Sequence, residues 1–286
     1  MANGYRKILV AYDGSKSARN ALLVASQLAN EGKSWIKVVA VVPTYIGDLN
    51  LIGVKDMKET IEGPGRKLLA EARKIADSRG VNILTNLEQG EPYERIVHVA
   101  EDENCDLIVM GRRGLSHLER ELMGGVTARV IGHTPKDVLV VPETAKLSWE
   151  KIILATDAEP HTENALYKAV TLTKEHGSTL TAVTVVYTND EFVALAHDMV
   201  EALINNARNK LEAIARRAAT EGVSMETAVR EGEPHQAITT LAREKGASLI
   251  IMATHGRTTG LGRLFPIGSI TERTIGYAEC PVMIVH

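Results

Sequence analysis

The chain has 286 residues, of which 44% are hydrophobic, 24% charged and 4% aromatic, and its net charge is −3. This length suits two domains, since domains commonly have roughly 100–200 residues, and the composition is that of a globular protein with cores of Val, Ile, Leu and Ala. Because binding to a phosphate backbone needs clustered Lys and Arg, the charge balance argues against nucleic acid as a partner.

Short β-branched runs alternate with longer amphipathic segments along the first half of the chain, which indicates βαβ units and a parallel sheet. The predicted strands lie near 7–12, 36–42, 82–87, 106–110 and 137–142. The predicted helices lie near 16–31, 57–79, 92–103 and 125–133. Ser15 or Ser17 is expected to be the N-cap of the first helix, and Gly32 is expected to end it.

The second half repeats this order and several sequence blocks of the first half. "KILVAYD" at 7–13 matches "KIILATD" at 151–157, and "GEPYERIV" at 90–97 matches "GEPHQAIT" at 232–239. "DLIVMGRRG" likewise matches "SLIIMATHG", and "VLVVP" matches "VMIVH". The repeat indicates a tandem duplication with domains over 1–145 and 146–286, joined in "PETAKLSWE".

The elements of the second copy follow from the same patterns. Its strands are predicted near 151–156, 179–186, 225–230, 248–252 and 281–285, with a long helix over 191–221. Each copy is therefore predicted to be a doubly wound α/β domain, a five-stranded parallel sheet with helices on both faces. Such sheets bind ligands outside the carboxyl ends of the strands where the strand order reverses, which directs attention to the loops after strands one and four.

Targeting and metal signals are weak. Cys105 and Cys280 form neither a disulfide framework nor a zinc motif, and no signal peptide or apolar run of about 18 residues is visible. His161 and His197 are isolated and are interpreted as ordinary polar positions. We expect a cytoplasmic protein with no structural metal and no membrane contact.

The loop after each first strand begins with an aspartate, Asp13 in copy one and Asp157 in copy two. Such a carboxylate can accept hydrogen bonds from an adenine amino group or a ribose hydroxyl. It can equally well cap the following helix, as Asp often does. Sequence alone leaves both interpretations open.

The loop after strand four of copy one is "GRRGLSHLERELMGG", residues 111–125. Gly111 and Gly114 allow a tight turn and a close approach to a ligand, while Gly124 precedes a helix whose N-terminus is suited to an anion. Arg112 and Arg113 either add charge-assisted hydrogen bonds to a phosphate or point into solvent. A phosphate cradle and a plain basic loop both fit this stretch.

With these motifs the chain resembles the universal stress protein family in its tandem two-domain form. The resemblance rests on "ILVAYDGS", "GEP", "LIVMGRRG" and the family's nucleotide motif of Gly, two residues, Gly, nine residues, Gly, then Gly, Ser or Thr. It implies a Rossmann-like fold of the adenine nucleotide alpha-hydrolase type. It also implies a cytoplasmic stress-response protein that binds ATP, ADP or AMP as a signalling module, with Mg²⁺ carried by the nucleotide.

The resemblance places the nucleotide chiefly in domain 1. The motif glycines match in spacing, Gly125 stands where many members have Ser or Thr, and Thr127 is expected to supply the missing hydroxyl. Ala11, Val41 and Met110 would line the adenine slot. The full expected set is Ala11, Tyr12, Asp13, Val41, Met110, Gly111, Arg112, Arg113, Gly114, Gly124, Gly125, Val126 and Thr127.

Copy two departs from the motif. It has Ala253 at the first glycine position and reaches Gly268 and Ser269 two residues late. Its expected site is therefore less complete and consists of Asp157, Gly256, Gly268 and Ser269. The resemblance further implies a homodimer, or a dimer-like assembly in which the last strands of the two copies pair.

No catalytic residue is predicted. His117, His133, Glu119 and Glu121 lie near the loop in no recognisable catalytic pattern, and neither a Walker A sequence nor kinase loops are present. The alternatives are a slow ATPase or phosphotransferase, including autophosphorylation, and an interaction protein that binds no nucleotide. A dinucleotide-binding dehydrogenase is disfavoured because "YDGSKSA" lacks GxGxxG.

Overall fold

A computed structural model describes residues 5–44, 57–114, 123–189, 191, 195–254 and 267–286. The chain divides into two compact units, Met1–Thr144 and Ala145–His286, here called unit 1 and unit 2. Gly256 and the histidine and glutamates of the 115–122 segment, which entered the sequence predictions, lie outside the described residues.

The described part of unit 1 alternates strands and helices from end to end. Its elements are β1 (Lys7–Ala11), α1 (Lys16–Gly32), β2 (Trp35–Val42), α2 (Met57–Asp77), β3 (Ile83–Gln89), α3 (Pro92–Asp102), β4 (Leu107–Gly111), α4 (Gly125–His133) and β5 (Asp137–Val141). The predicted elements agree with these bounds within two residues, because each strand is a compact apolar run and each helix has a clear apolar period.

The five strands of unit 1 form a parallel sheet in the order β3-β2-β1-β4-β5. Helices α1 and α2 pack together against this sheet, and α3 and α4 form a second pair. The predicted doubly wound, Rossmann-like fold is thus confirmed. The strand order reverses between β1 and β4, so the carboxyl ends of these two strands meet at the switch point.

Helix α1 illustrates how the sequence sets local structure. Ser15 is its N-cap and accepts a hydrogen bond from the Ala18 amide at 3.1 Å. Ser17, the alternative cap, is buried and donates to the Val141 carbonyl at 3.0 Å. The C-terminal prediction was off by one residue: Gly32 is the last helical residue, and Lys33 adopts the left-handed conformation with φ 55°.

Unit 2 repeats the architecture with the sheet order β8-β7-β6-β9-β10, again with parallel pairs throughout. Its elements are β6 (Lys151–Ala155), α5 (Glu163–His176), β7 (Thr179–Val186), α6 (His197–Thr220), β8 (Met225–Glu231), α7 (Pro234–Lys245), β9 (Leu249–Ala253), α8 (Ser269–Tyr277) and β10 (Val282–Val285).

The predicted long helix over 191–221 is interrupted at Ala196, although Glu191 and Leu195 before it are also helical. Helix α6 begins at His197, because Ala196 leaves the helical conformation with φ −137° and ψ 42°. Neither proline nor glycine occurs between 191 and 197, so the sequence contains no signal for this break. Among the helices that the structure describes, none combines the length and apolar character that a membrane span requires.

Candidate functional site

A cleft of about 220 Å³ opens at the switch point of unit 1. All residues predicted for the domain 1 site line it, with the exception of Arg112. The cleft is also lined by residues that the sequence predictions missed, namely Ser15, Ala18, Val39, Pro92 and Ile96. The loops after β1 and β4 therefore meet in space, as the strand order requires.

Asp13 holds the turn that leads from β1 into α1. Its Oδ1 accepts a hydrogen bond from the Ser15 amide at 3.0 Å, across Gly14, whose φ of 80° suits glycine. Because Ser15 caps α1, the alternative in which Asp13 caps this helix does not apply. Asp13 instead lies at the cleft wall, where it faces the loop after β4. In each unit, the loop after the first strand is here called the first loop and the loop after the fourth strand the second loop.

The two motif glycines at the end of β4 permit close packing between the loops. A Cβ atom at Gly111 would lie 2.6 Å from Ser17 Oγ and 2.7 Å from the Ala18 nitrogen, at the start of α1. A Cβ atom at Gly114 would lie 2.5 Å from Asp13 Oδ2. Gly111 thus meets a need for helix packing rather than for contact with a ligand, whereas Gly114 brings the second loop against the aspartate.

The two ends of the second loop are tied together by backbone hydrogen bonds. The Gly124 amide donates to the Arg112 carbonyl at 2.9 Å, and the Arg112 amide donates to the Val141 carbonyl at 3.0 Å. Ser15 Oγ, from the first loop, donates to the Arg113 carbonyl at 3.2 Å. These bonds fix the N-terminus of α4 beside the cleft.

Helix α4 begins at Gly125, with Gly124 as an N-cap that makes no side-chain hydrogen bond. The first amides of a helix have no partner within the helix, and the helix dipole adds positive potential there. Gly125, Val126 and Thr127, which carry these amides, all line the cleft. This end of the cleft is suited to an anion.

Thr127 does not fill the role that the sequence suggested. Its side chain is 4% exposed, and its hydroxyl donates to the Gly111 carbonyl at 3.1 Å. The hydroxyl therefore joins α4 to the end of β4 instead of pointing toward a ligand. At Gly125, in contrast, an added Cβ atom would meet nothing within 4 Å.

The two adjacent arginines differ. Arg113 lines the cleft, while Arg112 does not. Burial lowers the pKa of the Arg112 guanidinium, with a further lowering by the charge of Arg113 and an opposing effect from Glu143. Of these two arginines, Arg113 is therefore the one placed to supply a positive charge to the cleft.

The other end of the cleft is apolar. Val39 and Met110 are buried strand residues, and Ile96 on α3 closes the same side. Pro92 begins α3 and belongs to the "GEP" motif found in both copies, so a signal for this wall was present in the sequence. Val39 and Ile96 had no such signal, since core strands and helices contain many similar residues.

Behind the cleft, Tyr12 makes a polar contact that no sequence pattern indicated. Its hydroxyl donates to Glu71 Oε1 on α2 at 2.7 Å, and Arg19 Nε on α1 donates to the same oxygen at 2.6 Å. Burial and then the bond to Glu71 raise the pKa of Tyr12 well above its usual value. The hydrogen bonds from Arg19 and Tyr12 lower the pKa of Glu71.

In unit 2 the second loop keeps the same closure. The Gly268 amide donates to the Thr254 carbonyl at 3.2 Å, and Thr271 Oγ1 donates to the Ala253 carbonyl at 3.3 Å. Gly268 is the N-cap of α8 with φ −67°, as Gly124 is for α4, and Ser269 is the first helical residue. The start of the helix that follows the fourth strand is therefore built similarly in the two units.

The first loop of unit 2 differs from that of unit 1. Asp157 Oδ2 lies 3.3 Å from His161 Nε2, and Glu159, at the position of Ser15, forms an ion pair with Lys210 of α6. Residues Pro160–Thr162 form a 3-10 turn, so α5 begins only at Glu163. Because the α-helix starts later, we expect more room beside Ala253 than beside Gly111, its counterpart in unit 1.

The described residues contain no group of three His, Cys, Asp or Glu side chains arranged to hold a metal ion. Both cysteines are buried. Burial raises the pKa of the Cys105 thiol, and it raises that of Cys280 to about 12. Both thiols are therefore protonated near neutral pH and are poor nucleophiles.

Comparison with known proteins places the chain in a family. The model of the universal stress protein family matches it twice, over residues 4–142 and 148–286. Universal stress protein MJ0531 of Methanocaldococcus jannaschii is 35% identical over 147 residues, which cover 50% of this chain and 86% of that protein. Universal stress protein YxiE of Bacillus subtilis is 31% identical over 150 residues, which cover 48% of this chain and 99% of that protein.

A solved structure supports the fold. The crystal structure of a universal stress protein from Archaeoglobus fulgidus DSM 4304 gives a TM-score of 0.72 at 20% identity, covering 98% of this chain and 97% of that one. The fold thus defines a tandem Rossmann-like α/β protein. The chain belongs to the universal stress protein family, and each half of it is one family domain.

Proposed function

We propose that unit 1 binds ATP or another adenine nucleotide and that the chain acts as a regulatory module in a stress response. The observation that carries this proposal is the pairing, in one cleft, of an apolar end with a helix N-terminus. Val39, Met110 and Ile96 offer a slot for a flat apolar base, and the amides at the start of α4 face the same space. Asp13 lies at the cleft wall, where it can accept hydrogen bonds from a sugar hydroxyl or an amino group.

The charges of the cleft favour a phosphate over a neutral ligand. Arg113 supplies a cation, and the dipole of α4 adds positive potential at the same end. Mg²⁺ is proposed to enter with the nucleotide, coordinated mainly by phosphate oxygens and water. The proposed nucleotide contacts of unit 1 are those at Ala11, Asp13, Val41, Met110, Arg113, Gly114, Gly124, Gly125 and Val126.

The side chains that line the cleft favour binding over turnover. Among the described lining residues the acidic group is Asp13, and no histidine or cysteine accompanies it. The Tyr12 hydroxyl donates a hydrogen bond to Glu71, and this bond, with burial, favours the neutral form of the tyrosine. No observation favours hydrolysis or autophosphorylation over binding alone. A cytoplasmic location and a dimer-like assembly of the two copies, or a homodimer, stay predictions from the sequence and the resemblance.

Isothermal titration with ATP and Mg²⁺ tests the proposal, with two matched glycine variants. Gly124 and Gly268 are both N-caps with φ −67°, so Gly124→Val and Gly268→Val place the same side chain at equivalent positions. We expect the wild type and Gly268→Val to bind ATP and Gly124→Val to lose binding. Absence of binding by the wild type at millimolar ATP, or equal loss in both variants, would contradict the proposal.

A further inference from the structure

The two units tie their first and second helices together with an ion pair of opposite orientation. In unit 1, Arg19 of α1 pairs with Glu71 of α2. In unit 2, Glu163, at the position of Arg19, pairs with Arg217 of α6. The positive and negative residues have exchanged helices, so both units preserve an ion pair between their first and second helices rather than particular residue types. It therefore has a structural role that does not depend on a ligand.

In unit 1 a third residue, Tyr12, contacts this ion pair. The Tyr12 hydroxyl donates to Glu71 Oε1, the same atom that accepts the hydrogen bond from Arg19 Nε. Unit 2 has Thr156 at the position of Tyr12, and its hydroxyl lies 2.8 Å from Thr162 Oγ1 within its own loop. A connection from α2 to the end of the first strand through this carboxylate is thus a feature of unit 1.

Tyr12 stands at a sensitive place in the cleft. It is 3% exposed, it lines the cleft, and its amide donates to the Val39 carbonyl at 2.9 Å. Asp13 is the next residue, and its carboxylate organises the turn through the Ser15 amide. A movement of the Tyr12 ring would therefore be passed on to Asp13 through one peptide unit.

We infer that Glu71 is a positioning residue of the unit 1 cleft, which holds Asp13 in place through the Tyr12 hydroxyl. This inference rests on the proposed nucleotide binding for its consequence in affinity, although the positioning itself is a property of the chain without ligand. Glu71 does not line the cleft and acts through Tyr12, while Arg19 neutralises the charge of the carboxylate. The part of the site that it holds is the acceptor for the sugar or base, rather than the phosphate end.

The inference predicts a defined pattern among variants. Glu71→Met removes the acceptor at similar size, and Tyr12→Phe removes only the donor. We expect each to weaken ATP binding about tenfold, because Asp13 is then no longer held in place before the nucleotide binds. The double variant should lose no more than either single variant, because both remove the same contact. Glu71→Gln keeps an acceptor oxygen and should restore affinity to near that of the wild type.

Arg217→Met is the matched control, since it breaks the equivalent tie in unit 2 and should leave ATP affinity unchanged. Arg19→Met breaks the helix tie in unit 1 but keeps the bond from Tyr12, so its effect should be smaller than that of Glu71→Met. Equal losses in Arg19→Met and Tyr12→Phe, or additive losses in the double variant, would overturn the inference in favour of general loosening of the helices.

A second measurement tests positioning without nucleotide. Amide hydrogen exchange at Ser15 and Ala18 reports on the turn that Asp13 and Ser15 hold. We expect faster exchange at both amides in Glu71→Met and in Tyr12→Phe, and wild-type rates in Arg217→Met. Unchanged rates in the first two variants would refute the positioning role even if ATP binds. Changed rates in a chain that binds no ATP would refute the proposed function alone.

Discussion

Units 1 and 2 have the same strand order and the same closure of the second loop, and among the residues that the structure describes they differ in the loop after the first strand. In unit 1, Ser15 caps α1 and lines the cleft. In unit 2, Glu159 at that position makes no capping bond and pairs with Lys210. The exchange of Ser15 for Glu159 thus removes the side-chain cap and adds a carboxylate beside the start of the helix.

The difference between the two first loops changes the charge that a bound ligand would meet. A nucleotide bound in unit 2 in the way proposed for unit 1 would meet two carboxylates, Asp157 and Glu159, where unit 1 has Asp13 and the Ser15 hydroxyl. Like charges at close range disfavour binding, even when one carboxylate is paired with a lysine. We therefore expect unit 1 to be the nucleotide-binding unit, and unit 2 to keep the fold without the same affinity.

Other contacts show that the units preserve interactions rather than residues. Tyr93 on α3 packs against His133 on α4 with ring centroids 5.1 Å apart. The corresponding pair in unit 2 is His235 with Tyr277 at 5.4 Å, so the two residue types have exchanged places. Such exchanges mark contacts that the fold needs, in contrast to the differences in the first loop, which change the site.

The largest expected difference in stability concerns the last residue of the fourth strand of each unit. Gly111→Ala should destabilise unit 1 by about 1–3 kcal/mol, because the new Cβ atom meets the backbone of α1. Ala253→Gly should change unit 2 by less than about 1 kcal/mol. Amide hydrogen exchange resolved to each unit measures both effects. Equal effects of the two substitutions would show that the later start of α5 does not explain Ala253.

The N-cap positions should differ by a smaller amount. Ser15→Ala should cost about 0.5–2 kcal/mol in the stability of α1, since it removes the bond from the Ala18 amide. Glu159→Ala should cost no more than about 1 kcal/mol, the usual limit for a partly exposed ion pair. Exchange rates in the first turns of α1 and α5 provide the measurement. A larger loss in Glu159→Ala would mean that this ion pair supports the loop of unit 2.

Serine at the start of α4 should increase affinity without changing stability. An added Cβ atom at Gly125 meets nothing within 4 Å, so Gly125→Ser is sterically permitted. Its hydroxyl can bond to a phosphate, which adds about 1 kcal/mol or roughly fivefold in affinity for ATP. Titration of Gly125→Ser and of Ser269→Gly compares the units, and the second variant should bind as the wild type does. Weaker binding by Gly125→Ser would show that the phosphate lies elsewhere.

The smallest expected effect is the pH dependence that Glu71 contributes to unit 1. Hydrogen bonds from Arg19 and Tyr12 lower the pKa of Glu71 below its ordinary value of 4.5, so the stability from this carboxylate is present above pH 4.5. It is lost as the pH falls through the lowered pKa in the folded state, and solvent screening limits it to less than about 1 kcal/mol. Glu71→Gln should flatten the dependence in hydrogen exchange of α1 and α2. An unchanged profile would assign it to other carboxylates.

The helices and strands could be predicted from the sequence because apolar periodicity alone places them. The repeat also gave most of them a counterpart in the other copy. Prediction from the sequence failed where the role of a side chain depends on neighbours that are distant in the chain. Arg19 and Glu71 are linked only because α1 packs on α2, and nothing local marks Glu71. Thr127 was expected to face a ligand, but the carbonyl of Gly111 lies within its reach once β4 and α4 are assembled.

The stoichiometry of ATP binding tests the difference between the units most directly. Equilibrium dialysis at saturating ATP and Mg²⁺ should give one nucleotide per chain for the wild type and for Asp157→Ala. Asp13→Ala should weaken binding by about ten- to a hundredfold, the effect of losing a charged hydrogen-bond acceptor. Two nucleotides per chain, or equal losses in Asp13→Ala and Asp157→Ala, would contradict the assignment of the site to unit 1.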